Sequence, residues 1–456
     1  MSSQWSVFRA GAGRMMARIG ALPVLLGSHA FLTLGMLRGR WSYDHLGFAF
    51  LLISFALLLA AFVLLTRNAR ERLPARIPLA LALTFSLLLS SLKLSTHGAV
   101  AVPFGMTYVL WTPLLALLIP LLYLPPVPAA LRRGIFALAL GMAVLLRLWL
   151  PAASPKPLID TYNTAQESAQ HLLEGKNPYA TPVSDAYGGE RSYGYEIKGY
   201  MYLPANLYPQ AAAVEIAGDA RYAQIAAELG FAVLLWVLAR RWRGRDVSDL
   251  IVLLALYSPM TIFVLDAAWT EPFILLSLAL TAYGLIRGNG TLAAAAFGYA
   301  FSLKQYLATL VIPWIAAERR WKPLLVSAAV AAATAVPFLL WDWRSLLAEG
   351  VLMQLRTPFR EDTFSLFGFL SQATGIVPPK WWTLAVSALA SVLSVPWFRR
   401  LPRATAFLSA SVLTLFATFL FGTQAFANYY YLVSGLLVLL IACLPPEARA
   451  GEGRVE

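Results

Sequence analysis

Long apolar segments separated by short polar connections run through almost the whole sequence. They cover about residues 20–37, 46–66, 78–95, 104–124, 134–151, 223–239, 248–265, 271–286, 291–317, 323–340, 381–398, 404–421 and 429–444. Most approach the roughly 20 residues that an α-helix needs to cross about 30 Å of hydrocarbon. The pattern therefore predicts an all-α polytopic membrane protein with about 12 full spans.

The positions of the arginines predict the orientation of these spans. If the N-terminus is cytoplasmic, the opposite short connections carry only Arg38 and Arg40, and the cytoplasmic ones carry the clusters. Because positive charge is retained on the cytoplasmic side, both termini are expected there, with external polar segments at 152–222 and 341–380. The clustered residues are Arg67, Arg70, Arg72, Arg76, Arg132, Arg133, Arg240, Arg241, Arg243, Arg245, Arg319, Arg320, Lys322, Arg399, Arg400 and Arg403.

The apolar segment 291–317 is the exception to simple crossing. Arg287 precedes it and Arg319 follows it, so both of its ends are expected on the cytoplasmic side. We predict a two-helix hairpin that turns around Ser302 and Lys304. A lysine near the bilayer centre costs about 2.5–3.5 kcal/mol, which favours a function for Lys304. The alternative is that Lys304 extends to the external interface as an anchor.

Composition excludes several classes of function. Of the 456 residues, 59% are hydrophobic and only 13% are charged, which excludes a soluble enzyme. The single cysteine, Cys443, provides neither an intrachain disulfide nor a cysteine metal site, and the four histidines are scattered. The net charge of +13 is explained by the orientation signals, so no nucleic-acid partner is expected.

Segment 152–222 contains a predicted amphipathic helix at the membrane surface. Asp160, Glu167 and Glu174 recur every seven residues, which places them on one helical face. The opposite face carries apolar residues such as Leu172, so the acids are expected to face water or a cavity. The alternative is a solvated polar face without a specific role.

Further polar residues lie on the same predicted side of the membrane. Acids and a few cations at a lipid surface suit a phosphate-bearing lipid and a hydroxyl acceptor, so we predict that these residues bind substrate or support the site. The alternatives are helix caps for the acidic turn, a loop salt bridge, and an aromatic belt. The residues are Tyr179, Lys198, Tyr202, Asp266, Glu271, Arg360 and Asp362, and Glu167 of the amphipathic helix is expected to act in the same way.

The first four spans contain no comparable polar group. We therefore predict an N-terminal four-span appendage at 1–133, a catalytic core at 134–444 and a cytoplasmic tail at 445–456. Lys93 and Arg147 lie near the external ends of apolar segments, and both are expected to extend to the interface.

The order of several motifs resembles the GT-C superfamily of membrane glycosyltransferases. An external Asp160 is followed by A..LL.GKNPY at 169–179, Y.P at 202–204, S.KQY at 302–306 and R.DTFSLFGFL at 360–370. The pattern is most similar to that of the bacterial polyprenol-phosphate-mannose-dependent mannosyltransferases. The resemblance covers roughly residues 135–440 and leaves out the four leading spans.

This resemblance implies a GT-C-like fold and an activity. Asp160 would act as general base on the acceptor hydroxyl, and Lys304 and Arg360 would hold the donor phosphate. The reaction would transfer mannose, with inversion, from a polyprenyl phosphate to a lipid or glycan on the external face of the plasma (inner) membrane. In this chain Asp160 follows the fifth span rather than the first, which requires the four leading helices to be an appendage.

A divalent metal is optional in this scheme, because lysine and arginine can neutralise a phosphate. Asp160 together with Asp266 or Glu167 would be the ligands for one Mg²⁺ or Mn²⁺ ion. Two other functions remain open. One is a transporter or flippase of a lipid-linked sugar, with the hairpin 291–317 as its substrate site. The other is a non-catalytic membrane scaffold.

Overall fold

The computed structural model describes residues 20–39, 42–67, 74–92, 94–187 and 197–444. The predictions for Arg40, Arg70, Arg72, Lys93 and the tail 445–456 lie outside these residues. Within them every regular element is helical, which confirms the all-α fold class.

We number the α-helices of the described residues in chain order. They are α1 Ala21–Arg38, α2 His45–Thr66, α3 Arg76–Leu92, α4 Val102–Tyr123, α5 Ala129–Ala153, α6 Asp160–Leu173, α7 Leu207–Ala217, α8 Arg221–Trp242, α9 Arg245–Leu256, α10 Thr261–Asp266, α11 Glu271–Ile286, α12 Gly290–Phe301, α13 Val311–Glu318, α14 Trp321–Leu347, α15 Met353–Arg356, α16 Leu366–Thr374, α17 Trp381–Phe398, α18 Arg403–Leu420 and α19 Ala427–Cys443. Short 3₁₀ turns cover Pro204–Asn206 and Gln305–Leu310, and a π-turn covers Ala348–Leu352.

Eight of these helices are long and apolar enough to cross a membrane. They are α1, α2, α4, α5, α8, α14, α17 and α18, and they make the chain a multi-pass membrane protein. The apolar helices α3, α11 and α19 have only 16 or 17 residues, and α9 is separated from α10 by a break at Ser258 and Pro259. Proline lacks the N–H that would continue a helix. The count of about 12 full spans therefore stays a prediction.

The helices alternate between two ends of one bundle. Contacts between connections define these ends: Arg403 Nη2 lies 3.0 Å from Glu318 Oε2 at one, and Lys304 Nζ lies 2.7 Å from Glu271 Oε1 at the other. We call the first the arginine end and the second the cavity end. Helix α8 begins at Arg221, which pairs with Asp266 near the cavity end, so its C-terminus, with Arg240 and Arg241, lies at the arginine end.

Segment 290–318 enters the bundle from the arginine end and returns to it. Helix α12 stops at Phe301, and Lys304 is extended, with φ −154° and ψ 141°. A Cβ added to Gly290 would lie 2.5 Å from Arg320 Nη2, so the start of α12 is adjacent to the connection between α13 and α14. The two arms form the hairpin that the arginine positions predict, with Lys304 at its turn.

The four leading helices share a hydrophobic core with the rest of the chain. Trp111 Nε1 in α4 donates to Tyr257 Oη at 2.8 Å, and the backbone N–H of His97 donates to Asp266 Oδ2 at 2.6 Å. A Cβ on Gly39 would lie within 2.7 Å of the Phe364 ring. Helices on both sides of residue 133 bury their apolar faces against each other. The division into a four-span appendage and a catalytic core stays a prediction.

Arg147 does not extend to an interface, contrary to our expectation. It is 1% exposed, and its Nε lies 2.5 Å from Glu228 Oε2 in α8. Its Nη2 also donates to the carbonyl of Leu256 at 2.6 Å. A buried arginine needs such partners, and they join α5, α8 and α9 inside the bundle.

Helix α19 lies at the centre of the bundle. Every residue of Ala427–Cys443 except Tyr429 is buried. It packs against α1, α8, α11 and α18, so helices from both parts of the chain enclose it. Its first turn lies at the cavity end.

Candidate active site

A cavity of about 120 Å³ lies at the cavity end, where segments from distant parts of the chain meet. Asp160, Lys304 and Arg360 all line it. The other lining residues are Ile159, Thr161, Tyr187, Met201, Tyr202, Trp269, Gln354, Thr357, Gln424, Phe426, Asn428 and Tyr429. One carboxylate and two cations, separated by up to 200 residues in sequence, therefore share one space.

Asp160 is the first residue of α6 and is partly buried. Burial raises the pKa of its carboxyl group, while the backbone N–H of Thr161 and the charge of Arg360 act in the opposite direction. A carboxylate with a raised pKa binds a proton more strongly, which suits a general base.

Hydrogen bonds hold α6 so that Asp160 reaches the cavity. Thr161 Oγ1 donates to the carbonyl of Ala267 at 2.8 Å. Gln166 Nε2 donates to the carbonyl of Gly218 at 3.1 Å, and the N–H of Ala220 donates back to Gln166 Oε1 at 2.9 Å. These bonds fix the helix against the connections before α8 and after α10.

Lys304 is 4% exposed and forms an ion pair with Glu271, which is fully buried. Glu271 Oε1 also accepts from Asn428 Nδ2 at 3.0 Å and from Tyr306 Oη at 3.4 Å. Its Oε2 has no hydrogen-bond partner among the described residues. Glu271 therefore contributes by positioning Lys304 rather than by lining the cavity. Its contacts go beyond those of a helix cap, which was the alternative suggested by its position before Pro272.

Three tyrosine rings surround the ammonium group of Lys304. Nζ lies 5.3 Å from the ring centroid of Tyr202, 5.4 Å from that of Tyr306 and 4.9 Å from that of Tyr429. At these distances the ring faces attract a cation, so the three rings stabilise the ammonium group in a site that water scarcely reaches.

Arg360 is held by Asp362 through two hydrogen bonds. Nε lies 2.9 Å from Oδ1 and Nη2 lies 2.5 Å from Oδ2. The guanidinium carbon is 4.2 Å from the ring centroid of Phe426. The bidentate pair and the ring fix the plane of the guanidinium at the cavity wall. Like Glu271, Asp362 therefore contributes to the site by positioning a cation.

Asp266 does not line the cavity, and its support of the site stays a prediction. Its side chain is fully buried, and Oδ1 lies 3.2 Å from Arg221 Nη1. Oδ2 accepts from the backbone N–H of His97. Arg221 is itself paired with Asp219, at 2.6 Å. These contacts connect α8, α10 and the loop after α3, so Asp266 has a structural role.

Glu167, Tyr179 and Lys198 also lie outside the cavity. Glu167 accepts hydrogen bonds from the N–H and hydroxyl of Ser184, and Lys198 is exposed with its backbone N–H bonded to Glu349. Glu174 pairs with Lys176, so the seven-residue spacing does not bring the three acids of α6 to one cavity.

Tyr179 has an indirect part in the site. It is buried, and its hydroxyl donates to the backbone carbonyl of Tyr202 at 2.9 Å. The N–H of Tyr200 donates to the carbonyl of Pro178 at 2.9 Å, and Gly199 packs so closely on Tyr179 that a side chain would not fit. The GKNPY turn thus positions the strand-like segment that brings Tyr202 to Lys304.

The predicted metal ligands do not come together. Asp266 and Glu167 are bonded elsewhere, so neither joins Asp160 at the cavity. In the part of the chain that the structure describes, no three His, Cys, Asp or Glu side chains form a cluster able to hold a metal ion. We therefore derive no step through Mg²⁺ or Mn²⁺.

Sequence reasoning missed the contribution of the first turn of α19 and of the connection before it. Gln424, Asn428 and Tyr429 line the cavity, and Asn428 bonds the carboxylate that holds Lys304. A signal was present, because Gln424 and Asn428 are the two amides in the otherwise apolar stretch 404–444. An amide in an apolar span is costly unless it has a partner.

These observations define a multi-pass helical membrane protein with a cavity that combines a carboxylate and two paired cations. No protein-family model matches the chain, and no curated protein matches it. The chain is similar to the crystal structure of ArnT from Cupriavidus metallidurans bound to undecaprenyl phosphate, with 16% identity and a TM-score of 0.45 over 68% of this chain and 59% of the ArnT chain. The match covers less than two thirds of the ArnT chain.

Proposed function

We propose that this protein is an inverting glycosyltransferase that transfers a sugar, mannose, from a polyprenyl-phosphate donor to a hydroxyl group of a lipid or glycan. The observation that supports the proposal is the shared cavity of Asp160, Lys304 and Arg360. Transfer from a lipid phosphate needs a base near the acceptor oxygen and cations near the departing phosphate. The cavity contains groups of both kinds.

Asp160 is the proposed general base. The acceptor hydroxyl gives its proton to the Asp160 carboxylate while its oxygen forms the new bond to the anomeric carbon. The bond from that carbon to the phosphate oxygen breaks, and its electron pair leaves with the polyprenyl phosphate. Attack from the face opposite the phosphate inverts the anomeric centre.

Lys304 and Arg360 are the proposed ligands of the donor phosphate. Both are already oriented by carboxylates, Lys304 by Glu271 and Arg360 by Asp362. Preorganised cations stabilise the negative charge that develops on the leaving phosphate without reorganising during the reaction. Because Lys304 is held within three tyrosine rings, its charge acts in a site of low dielectric constant, where it is more effective than in water.

The proposed membrane orientation follows from the positive-inside rule. Arg240, Arg319 and Arg399 lie at the arginine end, which we assign to the cytoplasm together with both termini. The cavity then opens to the external side of the plasma (inner) membrane. A donor carried by a polyprenyl chain would reach it from the outer leaflet.

The test is transfer by the purified full-length chain in detergent. We would incubate it with radiolabelled mannosyl polyprenyl phosphate and a membrane lipid and glycan extract, and measure released polyprenyl phosphate and labelled product. We expect transfer by the wild type and by Glu167→Gln, which changes an acid of the same helix outside the cavity. We expect loss in Asp160→Asn by about 10²–10⁴-fold, the usual contribution of a general base.

Two outcomes would contradict the proposal. Equal label transfer by the wild type and Asp160→Asn would exclude Asp160 as the base. Net movement of the intact lipid-linked sugar across sealed vesicles, without cleavage of the sugar–phosphate bond, would favour the transporter or flippase hypothesis.

A further inference from the structure

A groove crosses the arginine end of the bundle between α13, α17 and α18. It has a volume of about 480 Å³ and continues into a second recess of about 620 Å³ beside the starts of α12 and α14. Arg319 and Arg320 line both. This groove lies at the opposite end of segment 290–318 from Lys304, so it is separate from the candidate active site.

The floor of the groove is apolar. Phe398 and Leu401 form one side, and Ala406, Phe407 and Ala410 form the other. The small side chains of α18 leave the space that larger residues would fill. A soluble ion would gain little from such a floor, whereas a lipid would bury apolar surface against it.

The rim of the groove and its recess is basic. One carboxylate, Glu318, also lines it, and this residue is buried with its oxygens 2.5 Å from Arg320 Nε and 3.0 Å from Arg403 Nη2. That leaves Arg319, Lys322 and Arg399, which have no carboxylate partner among the described residues. The basic lining residues are Arg319, Arg320, Lys322, Arg399 and Arg403.

Arg319 ends α13 in the left-handed region, with φ +57°. Its Nε donates to the carbonyl of Ala316 at 3.2 Å, so the side chain folds back over the end of its own helix. This contact keeps the guanidinium group beside the groove that Arg319 lines.

We infer that this groove binds an anionic phospholipid. Its phosphate lies among Arg319, Lys322 and Arg399, and its glycerol backbone covers the apolar floor. The acyl chains leave over the outer surfaces of α13 and α17, where Ile315 is 47% exposed and Val392 is 51% exposed. Basic pockets between transmembrane helices suit anionic head groups because the charges attract and the tails remain in hydrocarbon.

The test compares two variants with the same change in charge at the same end of the bundle. Arg319→Gln/Arg399→Gln removes two charges from the groove, and Arg240→Gln/Arg241→Gln removes two exposed charges outside it. Native mass spectrometry of the detergent-purified full chain would measure the binding of phosphatidylglycerol, with phosphatidylcholine as the neutral reference. We expect roughly 10- to 30-fold weaker phosphatidylglycerol binding in the groove variant and less than about 3-fold in the other.

Two further variants separate charge from folding. Arg319→Lys/Arg399→Lys keeps both charges and is expected to retain binding, because a lipid phosphate accepts a point charge. Ala406→Trp fills the floor without changing charge and is expected to displace the lipid. An equal loss in both double glutamine variants, or unchanged binding in the groove variant and in Ala406→Trp, would overturn the inference. Wild-type binding of soluble glycerol 3-phosphate as tight as that of the lipid would also overturn it.

Discussion

Lys304 and Glu271 form a buried ion pair, with Nζ 2.7 Å from Oε1, between the turn of the hairpin and the first residue of α11. Glu271 Oε1 is shared with Asn428 and Tyr306, so one carboxylate oxygen connects three segments. Removal of either charge leaves the other buried without compensation, which is costly in a low-dielectric interior.

We therefore expect Lys304→Met and Glu271→Leu each to destabilise the protein. A single broken buried pair costs about 3–5 kcal/mol, and the double variant Lys304→Met/Glu271→Leu should recover much of that loss because no charge remains. Thermal unfolding of the purified protein in detergent would measure it. Strictly additive losses in the double variant would show that the two charges do not interact.

Arg360 provides a second test, because its contacts require a planar guanidinium group with two N–H donors. Arg360→Lys keeps the charge but loses the bidentate pair with Asp362 and the stacking on Phe426. We expect the KM for the polyprenyl-phosphate donor to rise about 10-fold, equivalent to about 1.4 kcal/mol of binding. Arg356→Lys is the matched control, since Arg356 is exposed on the same segment and does not line the cavity. A similar KM change in both variants would contradict the assigned role.

The raised pKa of Asp160 predicts the pH dependence of transfer. Only the ionised carboxylate accepts a proton, so kcat/KM should fall as the pH is lowered through a pKa above 3.8, the ordinary value for aspartic acid. The positive charge of Arg360 lowers this pKa, so Arg360→Gln should move the acidic limb to higher pH. An unchanged limb, or one that moves to lower pH, would contradict this electrostatic coupling.

The same shift has a consequence for stability. A carboxyl group whose pKa is raised by folding favours the folded state when it is protonated, and this contribution is lost as the pH rises through the folded-state pKa. Asp160→Asn should therefore be at least as stable as the wild type at pH 7, although it is inactive. A variant that is both inactive and unfolded would instead indicate a structural role.

Asp266→Asn should lose stability but retain transfer, the opposite of Asp160→Asn. Its carboxylate is bonded to Arg221 and to the backbone of His97 and does not line the cavity. Loss of a charged hydrogen-bond partner costs about 1.5–3 kcal/mol, so we expect a lower thermal midpoint with transfer per folded molecule retained. Abolished transfer at unchanged stability would place Asp266 in the site after all.

The bounds of many helices could be predicted because apolar periodicity is a local property. Segments 271–286 and 381–398 were predicted at the residues where α11 and α17 lie. Segment 248–265 was predicted as one span, but Ser258 and Pro259 interrupt it, and the buried surroundings of the break supply the contacts that an isolated helix would lack.

Residue partnerships could not be predicted in the same way. Lys304 attracted attention because a charge in an apolar segment is costly, but nothing local indicates that its partner is Glu271, 33 positions away. Asp160 and Asp266 both follow an apolar segment, and only the packing of the helices directs one to the cavity and the other to Arg221. The contacts of the four leading helices could not be predicted for the same reason, because they are made with distant parts of the chain.

The enclosed position of α19 has a consequence for biogenesis. Ala427–Cys443 follows every other helix in the described chain, yet it occupies the centre of the bundle and brings Asn428 and Tyr429 to the cavity. While the ribosome is still making residues 20–420, the helices already inserted have no central neighbour to pack on. The bundle can close, and the cavity can gain its last wall, only after translation has passed Cys443.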